Sequence, residues 1–177
     1  PIIYVSHAPD EVARLADHLV LLEDGRVTAS GPLKETLLRA DLPFIFADAA
    51  EAVVDAHVVG HDPAYGLLAV QLPGSAVRLQ LPHGPLPLGQ AVRVKIKARD
   101  VSLSMQQAQD SSVLNLLPAQ VVDCIEVAEK AYVLVRVQVG DEQLMARITR
   151  YSFDRLHIQQ GQSLWAQVKS VSLLSAG

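Results

Sequence analysis

The chain has 177 residues, 50% of them hydrophobic and 19% charged, with a net charge of −4. That length and apolar share are enough to bury a sizeable core or two compact domains, and they exclude a disordered tail. The mild negative charge and scattered Lys and Arg exclude the basic footprint of a nucleic-acid binder, no apolar run approaches the roughly 18 residues of a membrane-spanning helix, and the single cysteine, Cys124, fits a small core residue in a reducing compartment.

In chain order, residues 2–5 form an apolar run of buried-strand type, entered without a starting Met or leader, so the chain reads as the back part of a longer protein. Ser6-His7-Ala8-Pro9 breaks the run ahead of a helix-like stretch at 10–16. Residues 18–22 return as a strand, Asp24-Gly25 carries a hairpin signal, and 26–29 pair back. Ser30-Gly31-Pro32 opens a second helix with Pro in its first turn; Leu33, Thr36, Leu37 and Ala40 give it one apolar face, and Pro43 stops it. The small-residue, acidic stretch 47–55 is expected to be a linker or a terminal helix, which makes residues 1–50 a first unit.

From near Val53 the pattern is β throughout. Strands are expected at 56–59, 67–72, 77–81 and 92–101, punctuated by His61-Asp62-Pro63, Pro73-Gly74 and Pro82-His83-Gly84. They suggest a small barrel over residues 51–111, whose Gln- and Ser-rich end leads into a third unit, 112–177. There, Val133, Val135, Val137 and Val139 alternate with Arg136 and Gln138, Gly140-Asp141 turns into a strand at 143–148, and Ser152 is the expected N-cap of a single helical turn.

The two β units are copies. Gly161-Gln162 followed by Leu164, Ala166, Val168 and Lys169 repeats Gly89-Gln90 followed by Val92, Val94, Ile96 and Lys97, with apolar residues at period two and a Lys at the same offset. A single duplication of this size implies two similar small domains. The expected fold class is therefore mainly β: tandem oligonucleotide/oligosaccharide-binding-like barrels preceded by an α/β fragment.

The run from Tyr4-Val5-Ser6-His7 through Glu11, Asp17 and Asp24-Gly25 to Gly31-Pro32 resembles the end of an ABC transporter ATPase domain. The resemblance implies that His7 is the switch histidine, which in that family contacts the γ-phosphate and helps to position the attacking water. Taken alone, His7 is a solvated histidine ahead of a helix. The nearest string to a phosphate loop, Gly84 to Gln90, has Gln90 where the lysine is needed and Pro85 and Pro87 where amide donors are needed. ATP and Mg, and the hydrolysis of ATP, are accordingly expected only of the longer parent protein.

Ser112-Val113-Leu114-Asn115, with Ala146-Arg147-Ile148-Thr149-Arg150-Tyr151-Ser152 and Val168-Lys169-Ser170, resembles the molybdate-binding module known as mop or TOBE. Together with the ABC segment, the chain is similar to the ATP-binding subunit of a molybdate importer. The resemblance implies a tetrahedral oxyanion, molybdate or tungstate, held between modules by Ser112, Asn115, Thr149, Ser152, Lys169 and Ser170. It also implies a homodimer, a transmembrane permease partner and a cytoplasmic position on the inner face of the cell membrane. In some members the bound anion shuts down transport. The pattern departs at Leu114, where many such modules carry Arg. The chemistry is consistent, because an oxyanion offers only acceptors and needs hydroxyls, amides and one cation. Individually, Lys169 reads as a solvated lysine on an edge strand and Ser152 as a plain helix cap; it is the joint pattern that points to a site. The first copy has Ala98 in place of Ser170 and is expected to be structural. His57 and His61 lie on a strand and its loop and do not converge, so no metal is expected. The alternative function is a dimerisation and stability element of an ABC ATPase that imports another solute, sulfate or a sugar, with an empty oxyanion site.

Overall fold

The computed structural model describes residues 2–39, 42, 50–126 and 130–176. In the first unit, helix α1 (Pro9–Leu15) leads to a hairpin of β1 (His18–Glu23) and β2 (Arg26–Pro32), and helix α2 (Leu33–Leu37) follows. Asp24 (φ 49°) and Gly25 (φ 75°) form its two-residue turn, both left-handed as a primed hairpin turn requires. Pro32 ends β2 and caps α2 instead of lying in its first turn; Ala40 and Pro43 fall outside the described residues. The strand expected at 2–5 does not form. Ile2, Ile3 and Val5 are 94%, 94% and 85% exposed, since no described strand lies alongside to pair their backbone or cover their side chains.

The stretch expected as linker or terminal helix is already strand at Glu51. Strand β3 (Glu51–Asp62) is followed by β4 (Leu67–Gln71), β5 (Arg78–Pro82), β6 (Ala91–Lys97), a 3₁₀ turn (Ala98–Asp100) and β7 (Val101–Ser104). Then come β8 (Asn115–Glu126), β9 (Tyr132–Val139), β10 (Glu142–Thr149), helix α3 (Arg150–Arg155), β11 (Ser163–Val168) and β12 (Ser172–Ala176). Small acidic residues do not prevent β3 from forming, because Ala52, Val54 and Ala56 alternate onto the buried face.

Two curled, five-stranded antiparallel sheets result, ordered β12-β6-β3-β4-β5 and β10-β9-β8-β11-β7. The copies exchange their last strands: β7, from the first repeat, pairs with β11, and β12, from the second, pairs with β6. The segment expected as one strand over 92–101 is thus broken by the 3₁₀ turn, and its two parts serve different sheets. Leu103 lies opposite Ala166 and Leu173 opposite Val94. Because Val94 and Ala166 are equivalent in the repeat, Leu103 and Leu173 are structural counterparts.

The shared Gly-Gln start has a backbone explanation. Gly89 donates to the Val58 carbonyl (2.8 Å) while the Gln90 carbonyl accepts from the Val58 amide (2.9 Å). Gly161 and Gln162 do the same with Val121, at 2.8 and 2.9 Å. Val58 and Val121 each sit at a register shift, and the turn satisfies backbone groups that the bulge takes out of the ladder. Gly89 (φ 78°) and Gly161 (φ 81°) are left-handed, a conformation that costs glycine nothing.

One apolar core runs through both sheets. Val133, Val135, Val137 and Val139 are all fully buried, and each such side chain contributes roughly 1.5–3 kcal/mol. Cys124 packs partly buried against this core, and burial, helped by the Asp123 charge, raises its thiol pKa. A smaller cluster of Ala13, Leu19, Leu33, Leu37 and Val53, with Leu174 against it, seats the first unit on the outer face of the first sheet.

Candidate functional site

His7 is exposed in a bend ahead of α1 and makes no hydrogen bond among the described residues. Its segment is ordered by its neighbours. Ser6 Oγ donates to Glu11 (2.8 Å) and accepts from the Ala8 amide (3.0 Å), and the Tyr4 hydroxyl also donates to Glu11 (3.0 Å). The hydrogen bond from Ser6, reinforced by that from Tyr4, lowers the pKa of the Glu11 carboxyl.

Asn115, Lys169 and Ser170 lie at one end of the second sheet, and Ser112 precedes β8 by three residues. Asn115 lies opposite Val168 in the ladder, so Lys169 and Ser170 leave β11 at the end where β8 begins. Lys169 and Ser170 are the exposed link between buried Val168 and buried Val171, where the chain crosses from the second sheet to the first. The Lys169 amide donates to the Asp100 carbonyl (2.8 Å), tying this crossover to the matching one of the first repeat. The side chains of Ser112, Lys169 and Ser170 are exposed and have no partner among the described residues.

Asn115 differs. It is 5% exposed; its Oδ1 accepts from the Gln80 amide (2.7 Å), and its Nδ2 donates to the Gln80 carbonyl (2.9 Å) and the Val168 carbonyl (3.4 Å). Both of its N–H groups are spent inside the protein. Leu114, 58% exposed, borders a cavity of about 540 Å³ that Arg78, Gln80, His61 and Tyr65 also line. Arg78 is exposed and has no ion pair among the described residues.

Thr149 and Ser152 lie elsewhere. Thr149 pairs with Tyr132 at the start of β9, next to the pair Val133–Glu126, so it neighbours the far end of β8 from Asn115. Thr149, not Ser152, caps α3: its Oγ1 accepts from the Ser152 amide (3.1 Å) and donates to Ser152 Oγ (2.9 Å). Ser152 stands three positions further on, where a helix presents the amide that an N-cap takes up.

Lys95 had no local signal, being one of three basic residues alternating along β6. It is 6% exposed, lies 2.5 Å from Asp10 of α1 and 3.9 Å from the buried Glu51, and is covered by the first unit. Burial raises the Glu51 carboxyl pKa, and the Lys95 hydrogen bond lowers that of Asp10. Beside it, Arg93 reaches Asp55 (3.2 Å), the Ala16 carbonyl (3.1 Å) and Asp17 (3.3 Å). Among the described residues no group of three or more His, Cys, Asp or Glu is placed to hold a metal, and no helix is long and apolar enough to cross a membrane.

The TOBE domain family matches residues 111–174. Over 99% of its length the chain is 54% identical to the "Molybdenum import ATP-binding protein ModC" of Pseudomonas aeruginosa, covering 48% of that protein. It is 53% identical to the protein of the same name from Bordetella parapertussis, covering 47% of it. The chain thus spans about half the length of these relatives. Among solved structures, the cytoplasmic molybdate-binding protein ModG, crystallised with molybdate bound, superposes with a TM-score of 0.60 at 20% identity, over 68% of this chain and 93% of that one. That likeness shows a shared fold.

Proposed function

Because the chain belongs to the molybdenum import ATP-binding proteins and corresponds to their C-terminal part, we propose that it is the regulatory portion of a transporter ATPase and that it senses cytoplasmic molybdate or tungstate by binding the oxyanion. Lys169 and Ser170 carry this reading: they are held out at the crossover by buried residues on both sides, Ser112 precedes the strand that pairs with β11, and the three side chains have no partner among the described residues. One ammonium and two hydroxyls form part of the donor set that a dianion with only acceptor oxygens needs. Arg78 offers a guanidinium at the cavity that Leu114 borders.

Thr149 and Ser152 lie away from this group, and in this reading they belong to the site of a neighbouring module. The reading therefore takes the protein as a homodimer with the anion between its modules. In the longer protein, His7 acts as the switch histidine on ATP and Mg, a permease subunit is the partner, and the assembly sits on the inner face of the cell membrane.

Calorimetric titration of the chain with molybdate, tungstate and sulfate tests the reading. Heat with molybdate or tungstate is expected, with Lys169→Ala and Ser170→Ala each weakening affinity about tenfold, the equivalent of one charge-assisted hydrogen bond. No heat with any of the three anions overturns it. The spent amide of Asn115 favours the second reading, a dimerisation and stability element of an importer for sulfate or a sugar. Heat with sulfate alone overturns the molybdate reading, and a dimer that binds none of the three would establish the second reading.

A further inference from the structure

We infer that strand β12 couples the Lys169–Ser170 crossover to the His7 segment, with Lys95 as the positioning residue that holds Asp10. This rests on the oxyanion reading above and adds the route by which the bound anion reaches the ATPase end of the chain.

Strand β12 begins two residues after Ser170, so a change at the crossover displaces its first residues directly. Ser172 lies opposite Lys95 in the ladder. Lys95 is buried beneath α1, and its ammonium bonds Asp10, three residues from His7. Two residues further along the strand, Leu174 packs against the cluster that contains Ala13 of α1. The exchanged strand therefore lies alongside the residue that ion-pairs with α1 at its N-terminal end and packs against the apolar cluster of α1 at its middle. α1 in turn fixes the His7 bend, because Glu11 takes the hydrogen bonds of Ser6 and Tyr4. Had the repeats kept their own last strands, the residues following the crossover would have stayed in the second sheet, away from Lys95. A nearly buried ammonium resists lateral movement, since leaving its carboxylate would strand a charge out of water.

The test uses hydrogen exchange at the α1 amides of Val12 and Ala16, which bond to the carbonyls of Ala8 and Val12, with and without saturating sodium molybdate, alongside calorimetric titration. In the wild type, molybdate should slow exchange at these amides about fivefold or more, the lower end of ordinary coupling between sites. Asp10→Asn, at an exposed side chain that the fold tolerates, and Lys95→Met, which keeps the length and removes the charge, should bind molybdate within about threefold of wild type yet lose that slowing. Binding without slowing in the wild type, or equal slowing in Asp10→Asn, overturns the coupling and leaves the oxyanion reading standing. No heat of binding in the wild type overturns both.

Discussion

Asn115 meets Gln80 as a neighbouring strand would: one side chain accepts from the Gln80 amide at 2.7 Å and donates to its carbonyl at 2.9 Å, closing the outer edge of β5. A single amide thereby links the first sheet to the second and covers backbone groups that an edge strand otherwise offers to another chain. Asn115→Ala should cost about 2–4 kcal/mol, since it removes three hydrogen bonds, two to the part-buried Gln80 backbone and one to the buried Val168 carbonyl. Urea unfolding of variant and wild type measures this. An unchanged midpoint would mean that Asn115 is not a structural pin.

The cap of α3 separates two hydroxyls that look alike in sequence. Thr149→Ala should destabilise by about 1 kcal/mol through loss of the cap. Ser152→Ala, which leaves the Ser152 amide bonded to Thr149, should change stability by less than about 0.5 kcal/mol. Thermal unfolding of the two variants side by side checks the order, and the reverse order would restore Ser152 as the cap.

Acid should weaken the joint between the first unit and the barrels. Burial pushes the Asp55 carboxyl up, but hydrogen bonds and charge from Lys34 (3.0 Å) and Arg93 (3.2 Å) outweigh it and hold its pKa below the usual value. The unfolded chain takes up this proton near pH 4, where the folded chain still resists it, so the folded state binds fewer protons. The stabilisation is present above about pH 4 and is lost as pH falls through the folded value. Asp55→Asn should therefore flatten the acid limb, measured as the urea midpoint between about pH 6 and about pH 3. An acid limb as steep as that of wild type would remove Asp55 from the account.

Local chemistry made much of this protein legible in its sequence. The Asp24-Gly25 hairpin, the period-two runs of β6, β9 and β11 and the paired Gly-Gln turns follow from short-range sterics and alternation, which neighbouring residues carry among themselves. The family resemblance lies in the same local strings, and Lys169 and Ser170 stand exposed just after β11. What the sequence left open is which edge each strand joins. β7 and β12 have the alternation their own module requires, yet each completes the other module, because alternation specifies a buried face and not the partner. Only the tertiary structure buries Lys95 under a helix that precedes it by some eighty positions, as its partner Asp10 shows. It alone turns Asn115 from an available donor into a pin and sets Thr149 and Ser152 at the far end of β8. Side-chain partners across such distances are decided when two faces are pressed together, and no window of the sequence contains both.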